Sequence, residues 1–277
     1  MLHQNWLVRG EVRLLSVHHR SPEVVPLGAA VLLAGFSHPM CDVDYFMSKL
    51  ARALAQSGLM VAQVDPRGHG DSPGDFSDVD LDTLREDIAI IIDHYANRFP
   101  GSLLCIGRGL VAPLLAEVSR VKGLLGVAGV SPYCIPPQLV ERHLTEVDAT
   151  SSDACAVFPG NDYVARSDFS DSALCVMNAL GAVPYNLHGM GISQRLLEGL
   201  THFDPLAALG QAAADRSLWL LRGGDDPDAL LPVRFDASSP YPPLTTYRGD
   251  PLPRNPAIHR TVISRLTEWA LDRCAMS

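Results

Sequence analysis

The sequence predicts an α/β fold: a mostly parallel sheet flanked by helices, with an inserted lid or cap. Three observations predict it. Continuous apolar runs such as GAAVLLAGF, LMVAQVD, SLLCIG and GLLGVAGVSP have the pattern of strands buried on both faces. Segments with helical spacing of apolar residues alternate with them, the rhythm of a parallel sheet with crossover helices. The rhythm then lapses from about residue 137 to 203 and resumes, a gap longer than an ordinary connection.

Taken in order, WLVRG and EVRLLSVHH read as two strands around a turn, and GAAVLLAGF as the third strand. YFMSKLARALAQSG is a helix stopped by Gly58. LMVAQVD is a buried strand, and LDTLREDIAIIIDHYANRF an amphipathic helix closed by Pro100 and Gly101. SLLCIG leads into the helix LVAPLLAEVSRV, and GLLGVAGVSP follows as a strand. After the gap come the strand SLWLLRGGDDP, the weaker strand PLTTYRG and a closing helix, PAIHRTVISRLTEWALDRC. The expected organisation is a core of residues 1–136 and 204–277 with a cap of 137–203. The cap falls over the C-terminal ends of the strands, where open α/β sheets bind ligands.

Composition narrows the function. The chain has 277 residues, 47% hydrophobic, and a formal charge of -9 with no run of Lys and Arg. That argues against nucleic acid as a partner, because phosphate neutralisation needs a basic surface. No apolar run is long enough to span a bilayer, and the N-terminus lacks the apolar core of a signal peptide. The six cysteines, at 41, 105, 134, 155, 175 and 274, form no CxxC pair and read as reduced thiols. The cytoplasm is the expected location. No metal-ligand spacing, dinucleotide fingerprint or phosphate loop is present, so no cofactor is expected.

The chemistry-bearing stretch is SLLCIGRGLVAP, residues 102–113: a buried strand, a tight turn at Gly107-Arg108-Gly109, and a helix start. DPRGHGDS, residues 65–72, follows the helix and strand before it, and RGGDDPD follows a late strand. In this order, with VLLAGFSHP and ARALAQSGLMVAQVDPRGHGDSPGDF, these segments resemble the α/β-hydrolase superfamily. The resemblance implies a strained strand-to-helix turn that presents a nucleophile, a histidine base and an orienting acid. Carried over by position, the nucleophile falls on Gly109, which has no side chain. The acid falls on Asp226. The histidine position falls near Pro251, and the nearest histidine, His259, lies in the closing helix. The chain is most similar to hydrolase-like proteins found beside exosortase systems, through a serine-less turn and the segment LHGMGISQRLLEGL, residues 187–200.

The resemblance also implies backbone oxyanion donors, from Phe36 or Ser37 after the third strand and from Leu110 after the turn. Arg108 reads either as an anion anchor beside those donors or as an outward arginine paired with surface acids. His38 is a candidate acid or base, or a loop histidine that fills space. Asp226 is a candidate free base at the pocket floor, or a helix cap. His69 reads as structural, with Asp65 and Arg67 holding their turn by a salt bridge and hydrogen bonds. Tyr133, Cys134, Tyr185, His188 and Met190 are candidates for the pocket roof. Cys105 would be the nucleophile only if the turn were read in a shifted register, after an unusually short strand.

Three functions fit. The first is binding of a small acyl or carbonyl compound with acid–base chemistry (cyclisation, elimination or addition) and no covalent intermediate, in a biosynthetic pathway. The second is an inactive pseudo-hydrolase that binds or scaffolds, as a homodimer or with a pathway protein. The third is ester or thioester hydrolysis by Cys105 or by a substrate-assisted water.

Overall fold

The computed structural model describes residues 1–22, 25–119, 124–135, 137–138, 140–141, 194–214, 218–224, 244–248 and 255–276. Their framework is an eight-stranded sheet: β1 (Leu2–Arg9), β2 (Val12–His19), β3 (Ala29–Leu33), β4 (Met60–Val64), β5 (Leu103–Gly109), β6 (Gly126–Pro132), β7 (Leu218–Gly223) and β8 (Leu244–Tyr247). The spatial order is β1-β2-β4-β3-β5-β6-β7-β8. The pairs β1/β2 and β2/β4 are antiparallel, and every pair from β4 to β8 is parallel. Each expected strand is present.

Burial explains the two kinds of strand sequence. All residues of β3, β4, β5 and β6 are buried, because helices cover both faces of the central sheet. β1 lies at the edge and exposes Leu2, Trp6 and Val8 while turning Leu7 inward. On one face, α1 (Phe46–Gln56) and α6 (Pro256–Ala275) bury Phe46, Leu50, Leu54, Val262 and Leu266 against Ala30, Leu32, Leu104 and Ile106. On the other, α2 (Leu81–Arg98), α3 (Val111–Ser119), α4 (Gln194–His202) and α5 (Pro205–Ala214) enclose a cluster that includes Leu33, Ile88, Ile91, Leu114, Leu196, Leu200 and Leu209.

Local chemistry sets the helix ends. Asp80 caps α2 by accepting from Thr83 N at 2.7 Å, and Asn255 caps α6 by accepting from Ala257 N at 2.9 Å with Pro256 at the first position. Neither α4 nor α5 was expected from the sequence. The signal for α5 is its helix-forming, alanine-rich PLAALGQAAA, begun at Asp204, whose carboxylate accepts from Ala207 N at 2.9 Å. Within the expected cap, Leu196 and Leu200 of α4 pack into the core cluster, and Gly199 sits over Leu81.

Close helix-to-sheet approach depends on missing side chains. A Cβ at Gly129 in β6 would stand 3.0 Å from the Cβ of Ala112 and 2.8 Å from Leu220 Cδ2. Gly129→Val should therefore destabilise the protein by about 1–3 kcal/mol through overpacking. Urea denaturation of both proteins checks it, and an unchanged midpoint would contradict this packing.

Candidate active site

The centre of the candidate site is the bend where β5 ends. Gly109 closes the strand at φ +58°, in the left-handed region, and Leu110 leads directly into α3. Pairing to β6 shifts register between Arg108 and Gly109, so that Gly109 stands opposite Pro132. Tyr133 N donates to Gly109 O at 2.9 Å and ties the bend to the end of β6. Positive φ is unfavourable for side chains with a Cβ and costs glycine little. The bend is thus a strand-to-helix elbow that presents backbone alone.

Arg108, one residue earlier, is fully buried. Its Nε donates to Asp42 Oδ2 at 2.7 Å, and its Nη2 donates to Asp42 Oδ1. Both side chains are excluded from solvent. The guanidinium lies against Gly35: a Cβ there would stand 2.3 Å from Nη2 and 2.5 Å from Cζ, so only glycine admits it. Arg108 is therefore neither an outward surface arginine nor a free anion anchor. The sequence reading missed Asp42, whose place in the loop after β3 was its one available signal. Burial alone would raise the Asp42 carboxyl, but Arg108's charge and hydrogen bond, with His38 and Val43 N–H helping, hold it below the ordinary carboxylate range.

The loop between β3 and α1 is under backbone strain. Ser37, Asp42, Asp44 and Tyr45 have φ of 65°, 61°, 48° and 60°, the region glycine favours. His38 N closes a turn on Gly35 O at 3.0 Å. Asp65 Oδ1 accepts from Met40 N at 2.6 Å, and Gln63 Nε2 donates to Met40 O at 2.6 Å. These bonds and the Asp42–Arg108 pair hold the strained loop in place. Phe36 and His38 are buried within it, Phe36 meeting His69 edge-on and Phe76 at a tilt.

The DPRGHGDS turn is structural, in a form that differs from the expected Asp65–Arg67 bridge. Arg67 pairs with Asp87, Nε to Oδ1 at 2.7 Å, and with Glu86. Asp65 instead accepts from the backbone N–H groups of Met40 and Asp71. Burial raises its carboxyl to about 6, against the pull of those two donors. His69 Nδ1 donates to Arg67 O at 3.0 Å, and burial pushes the ring down to about 4.

Tyr133 and Cys134 do not form a roof: both are buried in the core cluster just past β6. Cys105 lies in mid-strand, paired in register with Val31 and Val127, and burial raises its thiol to about 12. His259 is buried on α6 against Phe46, and its Nδ1 accepts from Lys49 Nζ at 3.0 Å. Asp226, Tyr185, His188, Met190 and the Pro251 position lie outside the described residues. Among the described residues, Arg108 Nη1, Ser37 Oγ and Tyr133 Oη are buried polar atoms of the site region for which no hydrogen-bond partner is found. No cluster of potential metal ligands occurs among the described residues, and no described helix is long and apolar enough to cross a membrane.

Comparison with known proteins agrees with this architecture. A model of the serine aminopeptidase S33 family matches residues 29–155, under half of the chain. No curated protein is significantly similar in sequence. The structure is similar to the ferulic-acid complex of Est1E from Butyrivibrio proteoclasticus, with TM-score 0.68 and 15% identity over 98% of this chain and 99% of that one. It is similar to the α/β hydrolase GrgF from a Penicillium species, with TM-score 0.67 and 14% identity over 99% and 98%. It also resembles a soluble variant of monoglyceride lipase from Saccharomyces cerevisiae bound to a substrate analogue, with TM-score 0.62 and 16% identity over 99% and 97%. The fold is the α/β-hydrolase fold.

Two stability predictions follow from the pair and the ring. Asp42→Ala leaves a buried guanidinium uncompensated and should cost about 3–5 kcal/mol, most of it recovered in an Asp42→Leu, Arg108→Met double variant. Chemical denaturation of the three proteins measures this, and a mild single-variant effect would contradict the buried pair. The His69 ring has a folded value near 4 against 6.5 for the unfolded chain, so its contribution is lost as pH falls between those values. Asp65 works the other way over the same range, so the comparison is made between proteins. From pH 7 to pH 4.5, His69→Gln should lose about 2 kcal/mol less stability than the wild type. Parallel pH dependences would contradict it.

Proposed function

We propose that this α/β-hydrolase-fold protein binds a small acyl or carbonyl compound over the Gly109 elbow and acts on it without a covalent intermediate. The observation that carries the reading is the left-handed elbow with no attacking side chain. On this reading the substrate lies over that elbow, where serine chemistry has nothing to attack with. The N–H groups of Phe36 or Ser37 and of Leu110, at the start of α3, are the proposed donors to the carbonyl oxygen. A donor pair of this kind stabilises an enolate or alkoxide as it would a tetrahedral oxyanion. Proton transfer then falls to His38, beside Asp42, or to Asp226, and the reactions that need nothing more are cyclisation, elimination and addition. Tyr185, His188 and Met190 are proposed contacts from the cap.

The likeness of residues 187–200 to proteins found beside exosortase systems is in keeping with a biosynthetic role in the cytoplasm, as a homodimer or with a pathway protein. A second reading is a binding or scaffold protein without catalysis. It is favoured by the Arg108–Asp42 pair, which uses internally the cation that a catalytic site would direct at substrate. Native mass spectrometry of freshly purified protein separates the two. A bound compound released with altered mass or altered chromatographic retention after incubation supports catalysis, and one released unchanged in both supports binding alone.

Hydrolysis by Cys105 fits poorly with a thiol buried in mid-strand and raised to about 12. Iodoacetamide and a fluorophosphonate applied to the folded protein should label neither Cys105 nor any serine. Active-site labelling by either reagent would overturn the proposal.

A further inference from the structure

The Arg108 guanidinium spends two of its three nitrogens on Asp42. The third, Nη1, is buried and has no hydrogen-bond partner among the described residues. A buried donor without an acceptor is costly, and more so when the group is charged. On the loop that wraps the guanidinium, Ser37 Oγ is also buried without a partner among the described residues. Ser37 is held at φ 65°, and Gly35, two residues before it, would bring a Cβ to 3.0 Å from Nη1. Two orphaned polar groups thus belong to one short stretch of loop and the side chain beneath it, next to the elbow.

The charge in this region decides what kind of acceptor fits. Arg108 carries one positive charge, and the bidentate Asp42 carboxylate, held ionised, cancels it. Asp65, bonded to Met40 N in the same loop, adds no positive charge in either protonation state. An arginine facing a site alone selects carboxylate or phosphate. An arginine already neutralised offers hydrogen bonds without net charge. A carboxylate placed there would be desolvated beside Asp42, whose charge already engages Arg108 and His38, a costly arrangement. A neutral carbonyl accepts from Nη1, or from the Ser37 hydroxyl, with no charge left over. We propose that Arg108 Nη1 and Ser37 Oγ form a polar subsite for a neutral carbonyl group (amide, ester or lactone), and that Asp42 makes the site reject the corresponding carboxylate. This rests on the reading above that an acyl or carbonyl compound binds at the elbow, and it specifies which charge state of that class is taken.

The test is ligand-observed NMR at pH 7 with hexanamide and hexanoate, a pair matched in length. The wild type should bind hexanamide about tenfold or more tightly than hexanoate, a difference of about 1.4 kcal/mol or more. Asp42→Asn exposes the arginine charge to the subsite and should invert the order. Ser37→Ala, which leaves the ion pair intact, should weaken hexanamide several-fold and so tests the subsite even if Asp42→Asn does not fold. Tighter binding of hexanoate to the wild type would overturn the neutral-carbonyl assignment while leaving the proposed function standing. Binding of neither compound to the wild type at millimolar concentration would overturn the proposed function and this inference with it.

Discussion

A buried ion pair ties the end of the central strand to the loop beside it. Arg108 leaves β5 one residue before the bend, and Asp42 lies in the loop that leaves β3, the neighbouring strand. Taking both charges out of water is expensive, and the cost is offset only by close, two-point geometry. That geometry exists because Gly35 has no side chain and because Asp42 adopts a conformation that glycine favours. The strain in the loop and the pair therefore belong together. Each non-glycine residue in the left-handed region costs on the order of 1–3 kcal/mol and persists only where the surroundings over-determine it.

The pair also decides how the elbow can be read. Gly109 holds a left-handed φ at the strand-to-helix bend and has no side chain to present. Among the described residues, backbone, a helix start, the buried His38 and a guanidinium paired with Asp42 stand beside it. The proposed function assigns this place to a carbonyl that is polarised and released, not attacked and held. The structural neighbours share the architecture at 14–16% identity, a level at which fold is comparable and chemistry is not.

Much of the framework was legible in the sequence because its signals are local. Continuous apolar runs for β3 to β6 and helical periodicity for α1, α2 and α6 need no knowledge of tertiary contacts. The bend at Gly109 was legible because a strand, a glycine turn and a helix follow one another directly. The Asp42–Arg108 pair was not, because its partners are 66 residues apart and nothing in CDVDYF distinguishes an acid that turns inward from one that caps a helix. For the same reason Arg67 was assigned to its motif neighbour Asp65, when its partners come from α2, 19 and 20 residues on. α5 was missed because alanine-rich stretches carry helix propensity but little periodicity.

If substrate is handled without a covalent intermediate, no side chain at the bend forms a bond to it. Rapid-quench intact-mass analysis of the protein mixed with excess p-nitrophenyl butyrate is the decisive experiment. The protein should keep its native mass at every time point sampled. A transient butyryl adduct at one equivalent, mapped to any residue of the site, would contradict it and restore covalent acyl transfer to this fold.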